Sequence, residues 1–557
     1  MSPEALILEN EKLRKSLEEK KRELSRQAAL LDEKDIQIRE LSNKVSLLDE
    51  KDIQIRELSN KVSLLEILHF GPKSEKRPKY DDTQALLFNE AEDEVFKQCD
   101  PDQMNAVIET IELGPQTRRK KAYGQGRKPI SPDLPREEII IDIDDADKVC
   151  ACGTEKTNIG SETSERVVII PAVVKVIQET KLKYVCKNCE GTEADEPGVV
   201  TAEGPAHLLP GSIADESMLA WVASEKYEFA LPLNRQAKRL NYIGLPLTRA
   251  TLSNWMIKIA SKCKVLYGLA EKHIKSFKFI NADETRVQVL KEKGRRAQSR
   301  SWMWVFLGGP PGKKAVLFQY DPSHAASVPA EFLKDYSGWL QTDDFESYAS
   351  ALKKLNEGRP PDKLIRRILC WQHARSYFHK SRQVEKSGHA QEAIDFIGKL
   401  FALEGLRKEY SERGFYKQRK NRAEEIFKEF RSWLDELKGK VLPGSLLGKA
   451  INYTIDNWEL LILYVEDPIL TPSNNLAENA IRPFVIGRKN WLFCNTPAGA
   501  EASAILYSLI ESAKLNNLIP YNYLFYIFRK LPYATTEEDY AALLPFNLTT
   551  EEIKLNK

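Results

Sequence analysis

Two segments of this chain set carboxylates into sequence that otherwise reads as buried strand. Phe277 to Val289 (FKFINADETRVQV) carries Asp283 and Glu284, and Gly338 to Phe345 (GWLQTDDF) carries Asp343 and Asp344. A charge inside a buried strand is costly unless it is paired or bound to a cation. A fold that uses these segments must therefore gather the acids and compensate them, and a divalent metal is the plain means. Alternation along a strand sends Asp283 and Glu284 to opposite faces, and Asp343 and Asp344 likewise. One acid of each pair can face a shared ion.

Between these segments, Ser301 to Leu307 and Ala315 to Tyr320 read as strands and Pro329 to Tyr336 as a short helix. The order strand, strand, strand, helix, strand suits a ribonuclease-H-type sheet, in which acids on neighbouring strands meet at one edge. Ile365 to Trp371 predicts one more strand, followed by a long helical stretch rich in Lys, Arg and Glu. Then comes Ser473 to Pro483 (SNNLAENAIRP), where Ser473 is placed to cap a helix and Pro483 to end or kink it. Asn475, Glu478, Asn479 and Arg482 share one face of that helix, so it presents a third carboxylate, Glu478. Two aspartates and a glutamate can hold two magnesium ions, with manganese a substitute, for phosphodiester chemistry. Three acids so far apart are not specific by spacing alone, and salt-bridged or surface carboxylates are the ordinary alternative.

The 557 residues exceed a single core and suggest about three or four folding units. From Leu6 to Leu68 the chain is Leu-rich, charged and free of glycine. Leu17, Leu24, Leu31, Ile38 and Val45 form a heptad seam. Leu30 to Ser46 recurs unchanged at Leu47 to Ser63, a period of 17 residues that shifts the seam as a three-residue stammer does. A coiled coil joining copies of the chain is expected, the alternative being a lone charged helix lying on its own protein.

Thr117 to Pro129 (TRRKKAYGQGRKP) reads as a basic linker. Its Arg118, Arg119, Lys120, Lys121, Arg127 and Lys128 could neutralise phosphates, with Gly126 to Pro129 slim enough for a minor groove; solvated linker charge is the alternative. The formal net charge of +2 leaves only such local patches to argue for nucleic acid. Cys150 and Cys152, then Cys186 and Cys189, form two close pairs beside the strand-like runs Arg166 to Val176 and Lys183 to Val185. Four thiolates in a ribbon too small to fold alone predict one structural zinc with no open position. The first pair has one intervening residue where two are commoner. Asp215 to Ile259 reads as helical, with one helix ending near Leu240, a turn through Gly244 and Pro246, and a second helix capped by Thr248. As a helix-turn-helix it would turn Arg249, Thr251 and Asn254 to DNA, with Leu252 and Trp255 packed behind. An ordinary helical hairpin is as common.

Phe70 to Lys76 (FGPKSEK), the cysteine ribbon, Ala282-Asp-Glu-Thr285, Leu340-Gln-Thr-Asp343, Cys370-Trp-Gln-His-Ala-Arg375, Asn474 to Pro483, Gly487-Arg-Lys-Asn-Trp491 and Tyr507 to Lys514 (YSLIESAK) together resemble the insertion sequence 66 transposase family along almost the whole chain. The resemblance implies a ribonuclease-H-like Asp-Asp-Glu enzyme with a helical insertion before the Glu, carried here onto Asp283, Asp343 and Glu478. Two residues depart from the family pattern: Asp344 stands where Gly is usual, and Gln372 where Ala is usual. The choice of Asp343 over Asp344 thus rests on the resemblance as much as on strand phase. His373 and Arg375 could approach the scissile phosphate, although a Cys-x-x-His pair near a strand end also suits packing. Arg482, Arg488 and Lys489 are further phosphate candidates.

The expected fold is multidomain α+β: coiled coil 1–68, linker with basic segment 69–136, zinc ribbon 137–200, helix-turn-helix-like DNA-binding region 205–270, ribonuclease-H-like core 275–380 and 473–497, helical insertion 381–472 and C-terminal helices 498–557. The expected function is metal-dependent cleavage and strand transfer of element ends. Its partners would be the element's inverted repeats, target DNA and a second copy of the chain, with accessory proteins admitted as further partners. A catalytically inactive or co-opted DNA-binding derivative is the alternative, and another metal-dependent nuclease or phosphatase would leave the N-terminal half unexplained. No apolar run reaches the roughly 18 residues a membrane helix needs, and no secretory signal opens the chain. A cytoplasmic, nucleoid-associated protein is expected.

Overall fold

The computed structural model describes residues 15–23 and 25–26, the single positions 34, 37, 44 and 51, and residues 174–185, 199–383 and 387–554. The chain divides into two compact units, Thr110–Pro205, and Met1–Glu109 together with Ala206–Lys557. Residues 15–23 are helical, and Leu17 is exposed. The other seam residues, Leu24, Leu31, Ile38 and Val45, lie outside the described residues, as do the six basic residues from Arg118 to Lys128.

In the smaller unit β1 (Lys183–Val185) pairs antiparallel with β2 (Val199–Thr201), Tyr184 opposite Val200. By sequence β1 leads directly into Cys186, but all four cysteines of the expected zinc site lie outside the described residues. Of the expected strand Arg166 to Val176 only the last three residues are described, and there Val174 and Val176 are exposed and irregular.

The larger unit begins with four helices, α1 (Glu216–Tyr227), α2 (Leu233–Tyr242), α3 (Arg249–Lys262) and α4 (Lys264–Lys275). Thr248 caps α3 as expected, its hydroxyl accepting from the Thr251 amide at 3.1 Å. The turn between α2 and α3 passes through Gly244 in the left-handed region, φ 85°. Leu252 and Trp255 face inward while Arg249 and Asn254 stand exposed. Leu252 and Ile259 of α3 share one continuous core with the sheet described next and with the C-terminal helices. The pair α2 and α3 is thus built onto the sheet through a shared core.

Five strands follow: β3 (Phe279–Gln288), β4 (Arg300–Gly308), β5 (Ala315–Asp321), β6 (Gly338–Thr342) and β7 (Ile365–Leu369). Their spatial order is β5-β4-β3-β6-β7. The first three form an antiparallel meander, and β6 and β7 join β3 in parallel through α5 (Ser327–Phe332) and α6 (Glu346–Asn356). Gly338 opens β6 at φ 137°, where a Cβ would lie 2.6 Å from the Lys278 carbonyl oxygen, so only glycine lets β6 approach β3 this closely. Two expected strands end early. β6 stops at Thr342, which places Asp343 and Asp344 in the loop beyond it. Trp371 opens helix α7 (Trp371–Arg382) and does not extend β7.

The insertion, α8 (His389–Ala402), α9 (Glu412–Lys438), α10 (Leu446–Asp456) and α11 (Trp458–Ile462), forms a second core with Phe279, Trp339, Ile368 and Trp371. Arg419, fully buried in α9, is its polar hub. It pairs with Glu404 at 3.1 Å and donates to the carbonyls of Leu470, Tyr464 and Asp467 at 2.8, 3.0 and 2.7 Å. The chain then returns through α12 (Asn475–Trp491), α13 (Pro497–Leu515), α14 (Pro520–Lys530) and α15 (Glu537–Ala542). Pro483 does not end α12, which runs on to Trp491. Nor does Ser473 cap it; that position is Asn474.

The outer edge of β5 is closed by α13. Ser512 and Ser508 accept from the amides of Val316 and Phe318 at 2.9 and 2.8 Å. Tyr267 donates to the Phe318 carbonyl at 2.8 Å, and Asn516 to that of Lys314 at 2.7 Å. Backbone groups that an edge strand would leave for another chain are thereby satisfied within the molecule.

Candidate active site

Asp283 lies in the middle of β3, opposite Val305 of β4. Burial first, and then the charges of Glu284, Glu478 and Asp343, push its carboxyl well above the ordinary range, with His373 opposing. Asp343 and Glu478 therefore both act on Asp283, although the fold draws the three acids from β3, from the loop after β6 and from the first turn of α12. Such a concentration of half-buried oxygen donors and like charge suits a hard divalent cation, which would return Asp283 to its ionised form.

A buried amide network fixes this assembly. Asn281, two residues before Asp283 and on the same face, donates from Nδ2 to Gln341 Oε1 and to Asn474 Oδ1, each at 2.9 Å. Asn474 donates to the Ala282 carbonyl at 2.8 Å, and Gln341 to that of Thr471 at 2.8 Å. All three amides are at most 1% exposed. The network explains the absence of a side-chain cap on α12: Asn474 occupies the capping position, but its amide ties the helix start to β3 and β6. The register sets Gln341 opposite Asn281, and parity along β3 puts Asn281 and Asp283 on the same side of the sheet; Asp343 follows in the loop after β6. Arg367 of β7 steadies the Asp343 loop, donating to Thr342 Oγ1 at 2.9 Å and to the Asp343 carbonyl at 2.6 Å.

The neighbouring acids are engaged by partners of their own. Glu284 accepts from Tyr348 at 2.7 Å and lies 3.1 Å from His324 Nε2, whose ring is stacked between Trp302 and Phe345. Burial, with the Asp343 charge second, pushes Glu284 up to about 8, and burial pushes His324 down to about 4. Both shifts disfavour an ion pair at this contact. Asp344 is held by Asn457 of the insertion at 2.8 Å.

The remaining expected residues distribute as follows. His373 lies near Glu478, one donor atom of each falling within 4.8 Å of the other and of Cys370 Sγ. Arg375 is half-buried one position beyond Ala374 on α7, and Arg482 is half-buried one turn after Glu478 on α12. Lys489 is exposed. Arg488 is 8% exposed and donates to Thr285 Oγ1 at 3.1 Å and to the Arg286 carbonyl, so its guanidinium ties α12 to β3. Asn281, Gln341, Asn474 and Arg367 were not foreseen. For Asn281, Gln341 and Arg367 the signal was an amide or guanidinium within a strand, each of the two amides standing two residues before an acid; Asn474 stands at the start of α12.

The family model described as "Transposase IS66 family" matches residues 211–502. "IS66 C-terminal element" matches 508–546, "zinc-finger binding domain of transposase IS66" 147–190, and "Transposase C of IS166 homeodomain" 57–139. The chain is 28% identical over 427 residues to the uncharacterized protein y4jD of Sinorhizobium fredii (strain NBRC 101917 / NGR234), covering 75% of this chain and 81% of that protein. It is 27% identical over 471 residues to y4qI of the same organism, covering 81% and 85%. No solved structure matches the chain.

Proposed function

Because the chain belongs to the IS66 family of transposases, we propose that it cuts and joins DNA strands at the ends of its own element, with Asp283, Asp343 and Glu478 as the acids that hold two magnesium or manganese ions. The observation that carries this reading is that half-buried Asp283, in the middle of β3, lies within electrostatic reach of both Asp343 and Glu478. The strand order and the mixed sense of the sheet support a ribonuclease-H-like core interrupted by the helical insertion. Such ions activate an attacking water or 3′-hydroxyl and stabilise the leaving oxygen. The chain's own part is placement. β3 holds Asp283 rigid, Arg367 fixes the Asp343 loop, and the Asn281–Asn474 contact sets the position of the helix that carries Glu478. Arg482 and Lys489 on that helix, with His373 and Arg375 on α7, are the groups we assign to the phosphates nearest the cut.

Arg249 and Asn254 at the exposed start of α3 would read the element's ends, and the basic residues Arg118, Arg119, Lys120, Lys121, Arg127 and Lys128 would add phosphate contacts. A match to a zinc-finger domain over 147–190 supports one structural zinc held by Cys150, Cys152, Cys186 and Cys189. The N-terminal heptads would join two copies, as bringing two DNA ends together requires. Among the described residues no helix is long and apolar enough to cross a membrane.

The test pairs binding with cutting on element-end DNA for the wild type, Asp283→Asn, Asp343→Asn, Glu478→Gln and the control Asp344→Asn. Each of the first three should bind DNA and lose magnesium-dependent cleavage, while Asp344→Asn cuts. Loss with Asp344→Asn but not Asp343→Asn would make Asp344 the acid that the loop after β6 supplies. Cutting by all four sinks the assignment.

A further inference from the structure

Cys370, His373 and Glu478 each place one donor atom within 4.8 Å of the other two, and among the described residues no other three His, Cys, Asp or Glu side chains do so. Cys370 joins β7 to α7 and is fully buried; His373 lies in the first turn of α7, and Glu478 in the first turn of α12. The sulfur lies 3.9 Å from Glu478 Oε1 and accepts from the Asn474 amide at 3.1 Å. Both elements are held by backbone: the Trp371 amide donates to the Pro472 carbonyl at 2.8 Å. The three donors are thus fixed relative to one another by the fold.

The geometry is close to what one ion needs. With Zn–S about 2.3 Å and Zn–O about 2.0 Å, two ligands of a tetrahedral zinc stand roughly 3.5 Å apart, so side-chain rotation alone could close the cluster. The donor chemistry is also selective. Magnesium demands oxygen ligands, whereas a thiolate with an imidazole selects zinc and similar ions. We propose that Cys370, His373 and Glu478 form a zinc-class site with one open position that shares Glu478 with the magnesium-type centre, so that zinc uptake and magnesium-dependent cutting exclude each other. Binding would displace the thiol proton to solvent. The exclusion rests on the reading of Glu478 as catalytic; the site itself rests on the geometry.

The experiment uses the full chain with its ribbon metal in place. Wild type, Cys370→Ser and His373→Gln are dialysed against buffered zinc and their metal content is counted by mass spectrometry. Wild type should take up one zinc per chain more than Cys370→Ser. Losing even an outer hydrogen-bond partner of a ligand costs about 10- to 100-fold in metal affinity, so each variant should bind the extra zinc at least about tenfold more weakly. Added cobalt chloride should give a thiolate-to-cobalt charge-transfer band that Cys370→Ser lacks and that His373→Gln, which must fold and melt like wild type, weakens. Zinc should abolish magnesium-dependent cutting by wild type, and each variant, normalised to its own zinc-free rate, should need at least about tenfold more. Equal zinc counts and equal cobalt spectra in wild type and Cys370→Ser overturn the site, even where wild type cuts DNA. Undiminished cutting at saturating zinc overturns the sharing of Glu478. A wild type that takes up the extra zinc but never cuts supports the site and refutes the catalytic reading instead.

Discussion

Replacing Asn281 by alanine tests whether the buried amides position the catalytic helix. The change removes both protons that Nδ2 donates, leaving Gln341 Oε1 and Asn474 Oδ1 each short of a donor at 2.9 Å. Gln341 Oε1 keeps only a long contact of 3.4 Å from Thr471. An unsatisfied buried acceptor costs about 1–3 kcal/mol, so the larger unit should lose roughly 2–6 kcal/mol, read as a lower urea midpoint with an unchanged slope. The consequence for chemistry should be greater than for folding. Asn474 begins the helix that bears Glu478, and a shift of about 1 Å in a reacting group can cost on the order of 100-fold in rate. Cutting of element-end DNA is therefore expected to fall about 100-fold under conditions where the variant is still fully folded and binds DNA normally. Asn281→Asp should be worse, because it sets a carboxylate against two acceptor oxygens. An Asn281→Ala chain that unfolds with the wild type and cuts at its rate would show that the network neither stabilises nor positions anything.

Arg419→Met should destabilise the insertion by about 3–5 kcal/mol, since it strips four acceptors of a buried charged donor; hydrogen exchange across residues 412–470 will report it, and unchanged protection there would refute it. Glu511, buried in α13 beside Lys514, is pushed by burial up to about 7. Its folded-state value exceeds the unfolded one, so its stabilising contribution is full below about pH 4.5 and is lost as pH rises through about 7, up to ~3 kcal/mol. Glu511→Gln should flatten that part of the stability profile in urea titrations at pH 5 and pH 8. Deleting residues 1–66 should lower the subunit count measured by light scattering; an unchanged count places assembly elsewhere.

The strands were legible because their apolar alternation is local, and Asp283 could be placed within β3 to the residue. Thr248 was legible as a cap for the same reason, since its hydroxyl serves an amide three residues away. What sequence could not supply came from partners distant in the chain. Asn474 looks like an interior helix residue beside a better cap, Ser473, until its amide is seen spent on Asn281, 193 positions earlier. Trp371 reads as strand because it is aromatic and follows IRRIL, but its indole donates to the Leu461 carbonyl at 2.8 Å and anchors the insertion. Arg488 reads as a phosphate ligand by charge alone, whereas its partner is the backbone of β3.

The serines of α13 that close β5 bear on what a shortened gene product could do. Every acid assigned to the chemistry precedes residue 479, so a stop codon placed after α12 would leave the reaction centre formally intact. It would also strip Ser508 and Ser512 from the amides of Val316 and Phe318 and bare a four-residue apolar strand, Ala315 to Phe318, that is buried in the whole chain. Such a fragment should collect in inclusion bodies through strand-to-strand stacking. The last segment of the chain is thus expected to keep the protein soluble although it carries none of the acids assigned to the reaction.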